Sequence, residues 1–151
     1  MITCQVELLR NCLVEMTELF PMHWEMLALN QDKVPLQPQY ASYLRDEAEG
    51  RCSCIVMRSE GKIVGYWVHY IAPGKHYETC LTSIMDIFFI RPEFRSGANA
   101  IRLMRAVEGE CRRRGVQRWF ASEKLHSPVG RLFRAMGFTP VEQTWAKWLG
   151  D

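Results

Sequence analysis

The chain has 151 residues, a formal net charge of +2, 48% apolar residues and 24% charged residues. That length suits a single domain over residues 1–151, with one core burying about two thirds of its unfolded surface, and the composition excludes a disordered chain. No stretch approaches the roughly 20 apolar residues of a bilayer-spanning helix, so no membrane partner is expected. A charge of +2 is too small to imply nucleic acid by itself.

The N-terminus sets Glu7 and Arg10 among apolar residues and has no basic leader with an apolar run, so a cytoplasmic location is expected. Six cysteines are scattered without a C-x-x-C pair, which reads as reduced thiols ahead of a disulfide framework or a zinc site. Asn11 is positioned to cap a first helix through Leu13, Met16, Leu19 and Phe20, interrupted by Pro21, and a second short helix is predicted from His23 to Leu29. Residues 30–38, with Pro35 and Pro38, read as a loop, and Tyr40, Tyr43, Leu44 and Glu47 as a third helix ending at Gly50. Cys54 to Arg58 and Ile63 to Ile71 flank Ser59-Glu60-Gly61-Lys62 as a hairpin, with Gly65 marking a bulge. Pro73-Gly74 opens a loop through His76, Tyr77 and Glu78.

The chain is organised around the next stretch. Ile84-Met85-Asp86-Ile87-Phe88-Phe89-Ile90 is an apolar run too short for a helix of its own and ended by Pro92, which predicts a buried central strand. Ile101, Met104, Val107 and Cys111 then recur at helical spacing up to Gly115. Between strand and helix, Gly97, Ala98 and Ala100 let a phosphate approach the first backbone N–H groups of the helix, at the positive end of its dipole, with Arg91, Arg95 and Arg102 nearby. Asp86 is the one charged residue of the apolar run and by strict alternation shares a face with Ile84, Phe88 and Ile90. A carboxylate there is either a base with a raised pKa or the partner of a neighbouring backbone or histidine group. The cations of Arg112-Arg113-Arg114, with Arg118, read first as complements of the helix dipole and only second as a nucleic-acid patch. Val116 to Ala121 is a further strand, Ser127-Pro128 starts a helix stopped by Gly137, and Phe138 to Trp148 reads as a last strand holding Trp145 and Trp148 in packing positions.

Two motifs carry a resemblance. Arg95-Ser96-Gly97-Ala98-Asn99-Ala100 is similar to the Q/R-x-x-G-x-G/A acyl-CoA loop of the GNAT superfamily of N-acyltransferases, and Ile90-Arg91-Pro92-Glu93-Phe94-Arg95 to the V-x-P-E-Y-R lead-in of that loop. Ala98 occupies the first glycine slot. Residues 126–138 resemble the family's N-x-x-A-x-x-L-Y-x-x-x-G-F pattern, keeping Leu132, Gly137 and Phe138, with His126 in the Asn slot and Phe133 in the tyrosine slot. The whole looks most like the small stand-alone GNAT proteins of bacteriophages, which implies a bacterial host cytoplasm.

The resemblance implies an α/β sandwich: a mixed, mostly antiparallel sheet with a splayed parallel strand pair and helices on both faces. It implies acetyl-CoA as cofactor, bound by Phe88, Phe89, Ile90, Arg95, Ser96, Gly97, Ala98, Asn99, Ala100, Ile101 and Phe133, with main-chain N–H groups from Gly97 to Ile101 on the pyrophosphate. It places the amine acceptor near His23, Trp24, Glu25, His76, Tyr77 and Glu78. Asp86 is the candidate base on its chemistry alone. Phe133 cannot protonate a leaving thiolate, so Tyr77, Tyr70 or Ser127 is the candidate substitute, and His126 either holds the helix start or assists at the cofactor arm. The expected function is acetyl transfer to a primary amine by direct attack in a ternary complex. The alternative is a GNAT-like module that binds acyl-CoA or a protein without catalysis. The acceptor and the oligomeric state, a homodimer included, stay open.

Overall fold

The structure, a computed structural model, describes residues 1–150. Five strands, β1 (Ile2–Val6), β2 (Cys52–Ser59), β3 (Lys62–Gly74), β4 (Tyr77–Ile90) and β5 (Arg118–Phe120), form one sheet in sequence order. The first three junctions are antiparallel and β4·β5 is parallel. One face carries α1 (Leu9–Met16), α2 (Phe20–Leu27) and α3 (Tyr40–Ala48), and the other carries α4 (Gly97–Arg113) and α5 (Gly130–Ala135).

Alternation along the inner strands divides the core. Cys52, Cys54, Val56, Tyr66 and Val68 pack with α1 and α2, while Ile55, Met57, Val64 and Trp67 pack with Leu103, Met104 and Val107 of α4. Those three α4 side chains are fully buried, each contributing about 1.5–3 kcal/mol of hydrophobic stabilisation. Their i, i+1, i+4 spacing makes the inner stripe, and Gly115 (φ +79°) ends the helix.

Several elements differ from the sequence reading for reasons that lie elsewhere in the chain. The first helix takes its cap from Glu47 of α3, whose carboxylate accepts the N–H groups of Leu9 and of Arg10 (3.3 Å), so it starts two residues before Asn11. Pro21 lies within the first turn of α2, where a missing N–H costs nothing. The bulge read at Gly65 falls beside it: Met57 pairs with Gly65 and Arg58 with Ile63. β1 was not foreseen; it pairs along its whole length with β2. Glu123, not Ser127, accepts the N–H of Val129 ahead of α5. Phe138 to Trp148 forms no strand; Trp145 is 83% exposed, and Trp148 lies 5.3 Å beneath the Lys33 ammonium. The arginine cluster is engaged by carboxylates, Arg112 by Glu108 (2.7 Å) and Arg113 by Glu110 (2.7 Å), which fits the structural reading of that cluster. The six cysteines are free thiols. Among the described residues, no helix is long and apolar enough to cross a membrane.

Candidate active site

The site begins at an irregularity in β4. Val68 pairs with Ile87 and His69 with Met85, so Asp86 is an extra residue opposite nothing, a β-bulge. The bulge resets the alternation expected from the sequence. Asp86 turns toward α3, where the Tyr43 hydroxyl donates to its carboxylate, while Phe88 packs on the opposite face with Trp67. Asp86 therefore does not share a face with Phe88 and Ile90. Burial on its protein side pushes the Asp86 pKa up, and the Tyr43 hydrogen bond opposes that shift. The Tyr43 hydroxyl is in turn held protonated, its pKa raised by burial and by the Asp86 charge.

Just before the bulge, β4 loses its parallel neighbour. Pairing to β5 runs from Thr82↔Arg118 to Ile84↔Phe120 and stops. From Met85 to Ile90 the strands are apart, and a cavity of about 720 Å³ opens between them. Phe88, Phe89 and Ile90 form one wall, and Arg95, Ser96, Gly97, Ala100 and Ile101 close the end at the tip of α4. Ala98 and Asn99 do not line it.

Ser96 caps α4: its hydroxyl accepts the Asn99 N–H (3.1 Å) and its carbonyl the Ala100 N–H (3.0 Å). Of the donors expected from Gly97 to Ile101, those of Gly97 and Ala98 are left free by the geometry of a helix start. A Cβ at Gly97 would meet nothing within 4 Å, so the approach is open. Arg95 donates to the Ile90 carbonyl (2.6 Å) with its guanidinium 5.2 Å from the Phe89 ring centre. Arg91 and Arg102 are turned away, to Glu93 (2.9 Å) and to the Ile2 carbonyl (3.1 Å).

A second cavity, of about 440 Å³, lies between α2, α3 and residues 28–38. His23, Leu27, Asp86, Ile87 and Lys124 line both cavities and so form their junction. His23 stacks on Phe89 (4.9 Å between ring centres) with its Nδ1 2.8 Å from the Tyr66 hydroxyl. Burial, with the Arg95 and Lys124 charges, pulls its pKa down to about 4, so the imidazole is neutral at pH 7.

The remaining residues singled out from the sequence fall outside this junction. Trp24 lines the second cavity, but Glu25 is exposed and lines neither. The loop expected before the central strand is the tight tip of the long β3–β4 hairpin, with Gly74 paired to Tyr77. His76, Tyr77 and Glu78 are thereby carried to its end, Tyr77 nine residues from Asp86 or roughly 30 Å at about 3.3 Å per residue. There Tyr77 packs beneath the Arg118 guanidinium (4.9 Å), too far to protonate a group beside Asp86. Phe133 is buried in the core, 5.5 Å from the Phe138 ring, so Arg131, Leu132 and Ala135 face the cavity in its place. His126 lies 3.3 Å from the Met26 carbonyl and ties the loop after β5 to α2. Of the candidate acids, Ser127 is the one with a hydroxyl lining the large cavity.

Sequence reasoning missed Tyr43 and Lys124. Tyr43 could be read only as one apolar position of α3, although its i, i+4 spacing to Glu47 already put both on one helix face. Lys124 sits in a connecting loop with no pattern to mark it.

The strand pair β4·β5 parts just before a bulge, and the start of α4 lies at the end of the gap, the α/β arrangement that the resemblance implies. The chain belongs to the acetyltransferase (GNAT) family, whose model matches residues 14–138. Its cofactor is acetyl-CoA, as in that family, and the open gap and helix tip are compatible with such a ligand. Solved structures share the fold. A ribosomal-protein-alanine N-acetyltransferase from Brucella melitensis biovar Abortus 2308 aligns with a TM-score of 0.77 at 15% identity, over 100% of this chain and 99% of that one. An aminoglycoside acetyltransferase, HMB0005, from an uncultured soil metagenomic sample gives 0.77 at 15% over 99% of both. A predicted acetyltransferase with acetyl-CoA from Clostridium acetobutylicum gives 0.70 at 11%, over 99% and 96%. No curated protein matches the sequence.

Proposed function

We propose that the chain transfers an acetyl group from acetyl-CoA to a primary amine by direct attack within a ternary complex, with Asp86 at the point where donor and acceptor meet. The observation that carries this reading is the position of Asp86: it is the one carboxylate that lines both cavities among the described residues. When bound, acetyl-CoA supplies the activated thioester. The Gly97 N–H group at the helix tip would hold its pyrophosphate, with Arg95 and Arg131 adding positive charge. The bare stretch of β4 at Phe88 and Ile90 would accept the pantetheine arm as an added strand.

The Asp86 carboxylate attracts the incoming ammonium and, directly or through a water, receives the proton that the amine must lose. Tyr43 holds that carboxylate in place by donating to it. Neutral His23 brings no charge to repel the amine. A thiol of pKa about 8.5 leaves without a strong acid, and Ser127 and Lys124 are donors lining the same cavity. The resemblance to small phage proteins supports the further proposal that the reaction takes place in a bacterial cytoplasm.

The test is thiol release from acetyl-CoA in the presence of primary amines. Asp86→Asn is expected to lower turnover by about 10²–10⁴-fold, the usual contribution of a positioned base, with acetyl-CoA affinity unchanged. Equal turnover in the variant removes Asp86 from the chemistry. The buried Phe133 in the tyrosine slot favours the second reading, a binding module; tight acetyl-CoA binding without thiol release across broad amine and peptide panels would select it.

A further inference from the structure

The second cavity differs in chemistry from what a polycationic acceptor requires. Its wall is built by Phe20, Trp24, Leu27 and Ala28 on one side and by the loop residues Val34 and Leu36 on the other. Leu29, Val34 and Leu36 are 51%, 43% and 38% exposed, a cluster of apolar side chains facing the cavity while wetted by solvent. Asp86 is the one carboxylate on this wall among the described residues, and Lys124 lines the same cavity. His23, the remaining titratable nitrogen there, is neutral. One ammonium is thus matched by one carboxylate. A second ammonium on the same molecule would find no second carboxylate in the lining, only the uncharged Gln37 amide and Tyr43 hydroxyl among its side-chain oxygens, and the Lys124 charge lines the same cavity.

Resting on the transferase reading above, we propose that the acceptor is a monoamine: one primary ammonium directed at Asp86, on a single aromatic or branched aliphatic body seated between Trp24 and the Val34–Leu36 loop. Polyamines, aminoglycosides and peptide amino termini, which carry further charged or amide groups, do not fit that pocket. The ammonium first gives one proton through Asp86 to solvent and becomes the nucleophilic amine; attack then forms the amide C–N bond and breaks the thioester C–S bond, and the second proton lost by nitrogen ends on the departing sulfur, so that ammonium and thioester become amide, thiol and one released proton.

The experiment uses the full chain and begins with calorimetric binding of acetyl-CoA. Thiol release is then followed with 2-phenylethylamine, isopentylamine, spermidine, kanamycin and an alanyl tripeptide. The two monoamines are expected to exceed the other three in kcat/KM by at least tenfold, the order of discrimination that apolar groups in a pocket provide. A polycation or the tripeptide equalling or exceeding them overturns the proposal, as does the absence of transfer to any of the five by a chain that binds acetyl-CoA. Absence of acetyl-CoA binding overturns the transferase reading itself. In a second arm, Leu36→Glu adds a carboxylate at a solvent-facing position. It is expected to narrow the preference for 2-phenylethylamine over cadaverine at least tenfold, and an unmoved ratio overturns the assignment of the loop to the acceptor.

Discussion

At Asp86 two effects act on one proton. Crowding by protein on one side lifts the pKa above its ordinary 3.8, and the hydrogen bond from Tyr43 draws it back by favouring the ionised form. If the ionised carboxylate takes the amine's proton, kcat/KM falls as pH drops through this raised pKa, so the acid limb lies above pH 3.8. Tyr43→Phe removes the lowering influence and is expected to move that limb to higher pH; a limb that stays in place shows that Tyr43 does not tune the base. From the sequence Asp86 was recognisable as the anomaly of an apolar run. Its facing was not, because the bulge that turns it toward Tyr43 is a register event between β3 and β4, and local alternation carries no record of it.

The strand, turn and helix from β4 to α4 were readable because each boundary is local: an apolar run, a proline, a capping serine and a terminal glycine all act within a few residues. Ser96 and the free donors at Gly97 and Ala98 allow the helix tip to be tested against two quantities that should move oppositely. Gly97→Glu places a carboxylate in the first turn, where the dipole favours it and where glycine is a poor helix former. A Cβ fits there without contact. The thermal midpoint is expected to hold or rise while CoA affinity falls by about 10- to 100-fold from repulsion of the diphosphate; unchanged affinity in calorimetry would take the pyrophosphate away from this helix. Elements anchored at long range were not readable. The cap of α1 comes from Glu47, 38 residues away from Leu9. The last predicted strand carries Phe138, Val141, Trp145 and Trp148 without a period-two pattern, and from Phe138 onward it forms no ladder with the sheet.

For the molecule as a whole, stability is tied to buried neutral imidazole. His69 is fully buried between the sheet and α4, 2.7 Å from the Ser83 hydroxyl, and its Nε2 has no partner. Burial lowers its pKa from 6.5 to about 4, with Glu110 acting against the shift and Arg114 with it. The folded chain therefore binds fewer protons than the unfolded one between those values. The contribution is intact above pH 6.5 and declines as pH falls toward 4, by a total on the order of 3 kcal/mol at 1.36 kcal/mol per unit. Thermal melts over that range should show a falling midpoint, and His69→Gln should flatten the slope; an equally steep slope in the variant assigns the acid sensitivity to other groups. The overall architecture was accessible from the order of motifs, whereas β1 was not, being a five-residue strand with a mostly exposed pattern.

The stretch of β4 beyond Ile84 has a further consequence outside catalysis. Peptide groups without a neighbouring strand are a template for another chain, and cells holding little acyl-CoA would contain this protein with that template uncovered. Acetyl-CoA would then act as a guard against self-association as well as a reactant. Light scattering during mild warming should rise later and less steeply in its presence, and by more than the gain in thermal midpoint alone accounts for.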